Sequence, residues 1–224
     1  MNVAIIRFPG TNCEFDTQYA FSLLGAKTYI VWHKDEVLPE DIHLVVIPGG
    51  FSYGDYLRCG AIAQFSPIMK AIKVFASQGG YVLGICNGFQ ILCEAGLLPG
   101  VLKRNINLHF ISKIQQLKVV NKDNVFLTSY APNQEIKLPI AHADGNYFID
   151  EVGLEKLRSN GQILLEYTDN PNGSVDSIAG ICNANKNVFG LMPHPERAIE
   201  AMLGSCDGLA MLDNLLHIHY QGKT

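Results

Sequence analysis

The residues best suited to chemistry lie in the segment Tyr81–Gln90, YVLGICNGFQ. Its pattern predicts a strand, a tight turn and a helix, with Cys86 at the turn and Gly84 and Gly88 two residues away on either side. This G-x-C-x-G spacing is the thiol counterpart of the nucleophile elbow G-x-S-x-G, in which glycines let the helix leave the strand at close range. The segment predicts a nucleophilic Cys86, although the same pattern also fits a buried cysteine in an ordinary turn.

Backbone donors suitable for an oxyanion lie near this cysteine. A sulfur at a helix N-terminus lies at the positive end of the helix dipole, which favours the thiolate. The backbone N–H of Asn87 could stabilise an oxyanion, and the glycine pair Gly49-Gly50, after the predicted strand Leu44–Ile47, could supply a second donor. A plain turn is the alternative for the glycine pair. A phosphate-binding loop is not predicted, because the chain contains no G-x-x-x-x-G-K-[ST] pattern.

A histidine between two prolines is the candidate base. Pro193 and Pro195 favour extended geometry in the residues that precede them. Because side chains two apart in an extended chain point to the same side, His194 and Glu196 are predicted to lie side by side, as an imidazole and the carboxylate that orients it. Alone, this motif also fits a surface turn without chemistry. Since it follows a predicted strand, as Cys86 does, the two motifs together predict a Cys–His–Glu triad.

The elements that must position these residues alternate between strands and helices in the first half of the chain. Apolar runs predict the strands and helical spacing predicts the helices. This alternation indicates an α/β fold, doubly wound, with a mostly parallel sheet and helices on both faces. The predicted strands are Val3–Phe8, Thr28–Trp32, Leu44–Ile47 and Tyr81–Ile85, and the predicted helices are Glu14–Leu24, Ala61–Ala76 and Gly88–Glu94.

The second half is richer in strands, and we expect extra antiparallel strands there. Asp169–Gly173, DNPNG, is typical of a turn, and a helix from about Gly208 to His219 is predicted near the end of the sequence. Since no linker or repeat interrupts the sequence, we expect a single domain over residues 1–224. The predicted strands are Lys113–Val120, Val125–Ser129, Glu135–Ala141, Ile163–Tyr167, Ser177–Ala184 and Val188–Leu191.

The composition argues against several classes of protein. Hydrophobic residues make up 48% of the 224 residues and charged residues 17%, so the chain can bury a large core. The net charge of −4, without long runs of Lys and Arg, argues against binding to nucleic acid or to a membrane surface. No apolar stretch reaches the roughly 20 residues needed to span a bilayer, and the first residues resemble a strand rather than a signal peptide.

The remaining cysteines and histidines are expected to be structural. None of the six cysteines forms a C-x-x-C pair, so we expect most of them to be small buried residues in a reducing cytoplasm. The remaining histidines lack metal-ligand spacing, and we expect no metal. These residues are Cys13, Cys59, Cys93, Cys182 and Cys206, with His33, His43, His109, His217 and His219.

The motifs together resemble those of the class I (triad) glutamine amidotransferases. The resemblance rests on Gly84–Gln90, Pro48–Gly50 and His194–Glu196. Three longer strings are similar to the glutaminase subunits of phosphoribosylformylglycinamidine synthase, of purine biosynthesis: Arg7–Cys13, Pro48–Arg58 and Met192–Arg197. The similarity covers nearly the whole chain and is most specific in the loop that begins at Pro48.

The resemblance implies a role for each motif residue. Cys86 attacks the side-chain amide of glutamine and forms a glutamyl thioester. His194 relays protons to the leaving ammonia and from the attacking water, and Glu196 orients His194. The implied oxyanion and substrate contacts are Gly50, Asn87 and Gln90.

The resemblance also implies partners. Ammonia passes to a large synthetase subunit that uses ATP and Mg²⁺ on formylglycinamide ribonucleotide, and a small third subunit completes the complex. The glutaminase subunit itself has no cofactor. Because a free glutaminase would waste glutamine, we expect low activity in isolation and stimulation by the synthetase.

One segment departs from the family. Where the family has Gly, Glu and Arg, this chain has Ala143, Asp144 and Asn146. The loss of a positive charge at Asn146 affects any partner or substrate contact made there, not the thioester chemistry. The neighbouring His142 fits either a subunit interface or the end of a strand.

Three other functions fit parts of the sequence. The triad would equally serve an amidotransferase that feeds a different synthetase. A cysteine elbow on a similar sheet also occurs in a peptidase- or chaperone-like family, but its members typically have His directly after the cysteine, where this chain has Asn87. A non-catalytic binding subunit is opposed by the presence of all three triad residues.

Overall fold

Eleven strands and five α-helices make up the part of the chain that the computed structural model describes, residues 1–217. Short 3₁₀ helices connect several of them. The strands are β1 (Asn2–Arg7), β2 (Lys27–Trp32), β3 (Leu44–Ile47), β4 (Tyr81–Ile85), β5 (Val101–Lys103), β6 (Ile111–Val119), β7 (Glu135–His142), β8 (Asn146–Phe148), β9 (Ile163–Tyr167), β10 (Ile178–Cys182) and β11 (Val188–Leu191). The helices are α1 (Glu14–Leu23), α2 (Ile68–Ser77), α3 (Asn87–Glu94), α4 (Glu151–Ser159) and α5 (Leu209–Leu216).

Nine of these strands form one mixed sheet in the order β2-β1-β3-β4-β11-β10-β9-β6-β7. The pairings from β2 to β11 are parallel, and those from β11 to β7 are antiparallel. Strands β5 and β8 form a separate antiparallel pair. The predicted α/β fold, with a parallel sheet and extra antiparallel strands in the second half, is confirmed.

The parallel half is doubly wound. From β1 the chain crosses to β2 on one side, and it then continues through β3 and β4 on the other side. Right-handed crossovers in opposite directions place their helices on opposite faces of the sheet. Every residue of β3, β10 and β11 is buried, as required for strands that are covered on both faces. Ligand sites in such sheets lie at the carboxyl ends of the strands.

The antiparallel half curls back towards the parallel half. Strand β7 lies four strands beyond β11, a distance of roughly 20 Å if the sheet were flat. Nevertheless the Pro139 carbonyl in β7 accepts a 2.8 Å hydrogen bond from the backbone N–H of His194, just after β11. Register shifts around Gly180, between β10 and β9, are the kind of irregularity that bends a sheet. This curl brings β7 over the carboxyl ends of the parallel strands.

One predicted strand is wrong. Val125–Ser129 was expected to be extended because it is apolar, but the chain forms turns there. The Asn124 side chain accepts hydrogen bonds from the backbone N–H groups of Phe126 and Leu127, both at 3.0 Å. Such a side-chain acceptor competes with a strand ladder. Phe126 and Leu127 are still buried, so the apolar pattern indicated burial rather than extension.

The helix predicted over Ala61–Ala76 is divided. A short 3₁₀ helix precedes α2, which starts at Ile68. Pro67 has no N–H to donate inside a helix and pushes Ser66 into an extended conformation, with ψ 143°. The predicted last helix is present as α5, while its predicted end at His219 lies outside the described residues.

Helix α4 was absent from the sequence-based prediction. Asp150 caps it by accepting a 2.7 Å hydrogen bond from the Gly153 N–H. The helix has Glu151 in its first turn and Lys156 and Arg158 in its last. This charge distribution suits the helix dipole and could have revealed the helix. None of the helices in residues 1–217 is long and apolar enough to cross a membrane.

The glycines around Cys86 are required by close packing. A Cβ on Gly88 would lie 1.8 Å from the backbone oxygen of Ile47 in β3. A Cβ on Gly84 would lie 2.5 Å from Leu92 Cδ1 and 2.7 Å from the backbone of Gly88. Helix α3 can therefore cross β3 and β4 at this distance because both positions lack a side chain.

We predict that Gly88→Ala lowers the free energy of unfolding by about 1–3 kcal/mol or more, because α3 must move away from β3. Urea unfolding followed by circular dichroism measures the change. The comparison is Gly153→Ala in α4, where a Cβ would lie 2.4 Å from Ile149 Cγ1 and 2.9 Å from the capping Asp150 Oδ1. These side-chain atoms can turn away at some cost to the cap, whereas the backbone of β3 at Ile47 cannot. A Gly88→Ala protein as stable as the Gly153→Ala protein would contradict the packing argument.

Candidate active site

Cys86 lies at the junction of β4 and α3 in a strained conformation. Its φ is 51° and its ψ −105°, a region that residues with a side chain rarely adopt. Its backbone N–H donates a 2.8 Å hydrogen bond to the Leu191 carbonyl at the end of β11. Its thiol lies 3.7 Å from the Ala141 carbonyl in β7. The elbow geometry predicted from the glycine spacing is therefore present.

His194 and Glu196 form a buried pair just after β11. The distance between His194 Nδ1 and Glu196 Oε1 is 2.6 Å, and each residue is 2% exposed. The prediction of side-by-side groups agrees with this geometry, but the extended backbone invoked for it is wrong. Pro195–Arg197 is a 3₁₀ helix, and His194 is the residue before it. A proline at the first helical position is compatible with such a turn because its missing N–H is not needed there.

Cys86 and His194 line one small cavity of about 150 Å³. Gly49 keeps it open, because a Cβ there would lie 2.8 Å from His194 Cε1, 3.0 Å from Cys13 Sγ and 3.5 Å from Cys86 Cβ. The sequence indicated Gly49 as part of a glycine pair that could supply a backbone donor. The structure shows a further reason for glycine there, because any side chain would enter the cavity. The lining residues are Asn12, Cys13, Gly50, Phe51, Cys86, Phe110, Ala141, His194 and Arg197.

The electrostatics of the pair favour a protonated imidazole. Burial by itself would lower the pKa of His194, but the Glu196 carboxylate and the sulfurs of Cys86 and Cys13 raise it well above its usual range. Nδ1 is occupied by Glu196, whereas Nε2 is buried and has no hydrogen-bond partner among the described residues. Nε2 is therefore the nitrogen available for proton transfer.

The predicted oxyanion and substrate residues have different surroundings. Gly50 lines the cavity, whereas Asn87 and Gln90, both described residues, are not part of its lining. The Asn87 side chain accepts a 3.0 Å bond from the Ser52 N–H and donates a 2.8 Å bond to Gln90 Oε1. Gln90 Nε2 donates a 2.7 Å bond to the Asp144 carbonyl. These two side chains connect α3 to the loop after β3 and to the segment after β7.

Sequence reasoning missed Cys13 and Arg197 as residues of the site. Cys13 was expected to be structural, but it is 2% exposed and lines the cavity beside Cys86. Arg197 Nη2 lies 3.1 Å from Cys13 Sγ, and its Nε donates a 3.0 Å bond to Asp16. Strand order could have indicated Cys13. It follows β1, and β1 lies next to β3 in the parallel sheet, so the residues after both strands emerge at the same edge.

His142 is a buried group at the end of β7. It is 3% exposed, and its Nδ1 lies 3.1 Å from Asn105 Oδ1. The amide of Asn105 is oriented by the backbone, since Oδ1 also accepts from the Gly145 N–H and Nδ2 donates to the His142 carbonyl. His142 Nδ1 is consequently the donor. His142 is the last residue of β7, as the predicted strand-end role requires, and a role in a subunit interface stays a prediction.

The segment that departs from the family is held by internal contacts. The Cys59 thiol donates to the Asp144 carboxylate at 3.2 Å, and Arg104 lies 3.6 Å from the same carboxylate. Asn146 pairs with Lys103 across β5 and β8. Lys103 on the neighbouring strand thus places a positive charge beside the position where the resemblance led us to expect an arginine.

A strained cysteine elbow, a buried histidine–carboxylate pair and a glycine-lined cavity at the carboxyl ends of parallel strands define a triad-type cysteine enzyme on an α/β fold. Comparisons with known proteins identify the class further. A profile described as the CobB/CobQ-like glutamine amidotransferase domain matches residues 1–205. The chain belongs to this family of glutamine amidotransferases.

Individual relatives agree with that assignment. A protein from Helicobacter hepaticus, named phosphoribosylformylglycinamidine synthase subunit PurQ, is 84% identical over 218 residues, covering 97% of this chain and 98% of that protein. A protein of the same name from Wolinella succinogenes is 64% identical over 216 residues, covering 96% and 99%. A chain in the solved structure of PurLQS from Thermotoga maritima matches with a TM-score of 0.88 and 41% identity, covering 96% and 97%.

We predict that His142 makes the protein sensitive to mild acid. Burial, followed by the nearby His194, lowers the pKa of His142 from 6.5 to about 4. The unfolded chain therefore binds a proton that the folded chain does not, and stability is lost as the pH falls from 6.5 towards 4. The shift corresponds to about 3 kcal/mol.

The measurement is urea unfolding at pH 7 and at pH 4.5. His142→Asn, whose amide can still donate to Asn105, should lose less stability than the parent protein between these pH values. The control is His109→Asn, at an exposed histidine. Equal losses in all three proteins would contradict the prediction.

Proposed function

We propose that this chain is the glutaminase subunit of a phosphoribosylformylglycinamidine synthase. In this proposal it hydrolyses glutamine to glutamate and ammonia through a Cys86 thioester, and it delivers the ammonia to an ATP-dependent synthetase subunit. The acceptor on that subunit is formylglycinamide ribonucleotide. The 60–84% identity to subunits of that name supports the proposal.

The observation that carries the chemistry is the state of His194. Its Nδ1 is bonded to Glu196 at 2.6 Å, while its buried Nε2 has no partner among the described residues and the ring lines the same cavity as Cys86. An imidazole oriented by a carboxylate, with its second nitrogen available beside the thiol of a cysteine in a strained backbone conformation, is the arrangement of an activated nucleophile.

The reaction then proceeds in two stages. The Cys86 sulfur attacks the amide carbon of glutamine, and its thiol proton passes through His194 to the leaving nitrogen. The C–N bond then breaks and ammonia is released. A water molecule next attacks the thioester, His194 takes its proton, and glutamate leaves as the Cys86 sulfur is released. In both stages the backbone N–H groups of Gly50 and Asn87 stabilise the oxyanion. Gln90 positions the substrate in this proposal.

The proposal includes partners that this chain does not contain. A large synthetase subunit uses ATP and Mg²⁺, a small third subunit completes the complex, and the glutaminase itself works without a cofactor. The name of the solved assembly, PurLQS, supports a complex of several subunits.

The six cysteines, which are all free thiols, support a location in a reducing cytoplasm. We treat residues 1–224 as a single domain.

The alternative functions have weaker support. A match to a protein described as a GMP synthase subunit has 15% identity and a TM-score of 0.68, which indicates a shared fold and nothing about the synthetase served. For a peptidase- or chaperone-like protein, the position after the cysteine typically carries a histidine. Here Asn87 is engaged with Ser52 and Gln90 and cannot serve as a base.

We expect Cys86→Ala, assembled with its synthetase, to lose glutamine-dependent synthesis by roughly 10⁴-fold or more. Synthesis from added ammonium should persist, because the nucleophile is needed only to release ammonia. Both rates are measured as formation of formylglycinamidine ribonucleotide, with Cys206→Ala at an exposed cysteine as the control. Loss of the ammonium-dependent rate as well would show that ammonia delivery has been misassigned.

We also expect the isolated chain to hydrolyse glutamine slowly and the assembled complex to hydrolyse it faster, because an uncoupled glutaminase wastes its substrate. Ammonia release is measured for the chain alone, for the complex, and for the complex with the acceptor nucleotide. Equal rates under all three conditions would exclude regulation by assembly.

A further inference from the structure

A second thiol lies in the catalytic cavity. Cys13 Sγ, a ring nitrogen of His194 and a carboxylate oxygen of Glu196 all lie within 4.8 Å of one another. The three residues are buried, and Cys13 lines the same cavity as Cys86. The chemistry proposed above uses the histidine and the carboxylate but not this thiol.

Two atoms of the cluster are buried without partners. His194 Nε2 and Glu196 Oε2 have no hydrogen-bond partner among the described residues. Buried polar atoms are normally paired, so two such atoms in one small region require an explanation. An imidazole nitrogen, a carboxylate oxygen and a thiolate sulfur are the ligand types that Zn²⁺ accepts.

We propose that Cys13, His194 and Glu196 form an inhibitory binding site for Zn²⁺, with the open coordination position facing the catalytic cavity. Occupation of the site engages the imidazole and the carboxylate that the hydrolysis of glutamine requires. Glutaminase activity therefore stops while the ion is bound and returns when a chelator removes it. The site is built from side chains that also serve catalysis, with Cys13 as the added ligand.

The geometry is compatible with a tetrahedral ion after a small adjustment. Zn²⁺ bonds of about 2.0–2.3 Å place neighbouring ligand atoms roughly 3.3–3.8 Å apart, so the 4.8 Å cluster must contract by about 1 Å. The hydrogen bond between His194 and Glu196 must rearrange when either of its atoms turns to the ion. The Cys13 sulfur must also give up its 3.1 Å hydrogen bond to Asn12 Oδ1 when it turns to the ion.

Two ligands of the cluster are anionic, whereas Arg197 beside Cys13 adds a positive charge that Asp16 offsets. His194 must release the proton that its neighbours favour before its nitrogen can bind the ion. The Cys13 thiolate and the Glu196 carboxylate would together balance two positive charges. Arg197 lies 3.1 Å from Cys13 Sγ and is paired with Asp16, so it can donate a hydrogen bond to a metal-bound thiolate from outside the ligand shell. Burial raises the pKa of Cys13, and Zn²⁺ must displace its proton, so binding should strengthen as the pH rises.

The sulfur ligand distinguishes Zn²⁺ from Mg²⁺. Thiolate favours soft and borderline cations, while Mg²⁺ requires oxygen ligands in an octahedron. The Mg²⁺ that the synthetase uses should therefore leave the site empty and the glutaminase active. Cys13 and His194 are distant in the sequence, so spacing along the chain gave no indication of this cluster.

The test uses Co²⁺ as a coloured substitute for Zn²⁺, which gives a readout independent of activity. The full chain should bind Co²⁺ with the intense visible absorption of a tetrahedral site and a thiolate-to-metal band, and Zn²⁺ should displace it while Mg²⁺ does not. Cys13→Ser should weaken Co²⁺ and Zn²⁺ binding about tenfold or more. The control Cys206→Ser should bind as the parent protein does.

A Cys13→Ser protein that binds with unchanged affinity and spectrum would overturn the proposal, because the sulfur would then come from Cys86 or from the surface. Weakening in the Cys206→Ser control to the same extent would also overturn it. Circular dichroism verifies that the variants fold. X-ray absorption of Zn²⁺-loaded Cys86→Ala, in which Cys13 is intact, provides a second test. One sulfur ligand supports the site, and a shell of nitrogen and oxygen alone excludes it.

Discussion

The parallel pairing of β4 with β11 is the constraint on which the site depends. Ile85 is the register partner of Leu191, and the ladder continues into the hydrogen bond from the Cys86 N–H to the Leu191 carbonyl. Because both strands run in the same direction, the residues that follow them emerge at the same edge of the sheet. A nucleophile and a base that are distant in the sequence thereby become neighbours. The close crossing of α3 over β3, at Gly88, fixes the elbow in this position.

The curl of the antiparallel half completes the cavity. Strand β7 would lie far from β11 in a flat sheet. In the structure its Pro139 carbonyl accepts a hydrogen bond from the His194 N–H, and its Ala141 carbonyl lies near the Cys86 thiol. The backbone of a distant strand thus holds His194, the candidate catalytic histidine, and covers Cys86. This arrangement excludes water from the His194–Glu196 pair, and exclusion of water strengthens the interaction between them. It also leaves buried polar atoms that a substrate or an ion can engage.

The local sequence pattern predicted most individual strands and helices correctly, but it predicted their ends poorly. The elbow and the parallel strands follow from short-range rules of glycine spacing and apolar runs. The histidine motif was found for a wrong reason, because a 3₁₀ turn stands where the prolines predicted extended chain. The same rules failed at Val125–Ser129, where the Asn124 side chain closes a turn, and at Ala61–Ala76, where Pro67 interrupts the helix. In both places a single residue determined the backbone conformation, although the neighbouring residues favoured a strand or a helix. Helix α4 was missed although its cap and charges were present in the sequence.

The sequence by itself determined the fold class, the cysteine elbow and the identity of the candidate triad, because each depends on residues that are adjacent along the chain. The tertiary structure alone decided that Cys13 and Arg197 join the cavity and that Gly49 keeps it open. It also decided that β7 covers the site and that Asn105 orients His142. These contacts join segments whose spacing in the sequence carries no periodic signal. They arise from strand order and sheet curvature, which many different sequences can produce and which no single segment specifies.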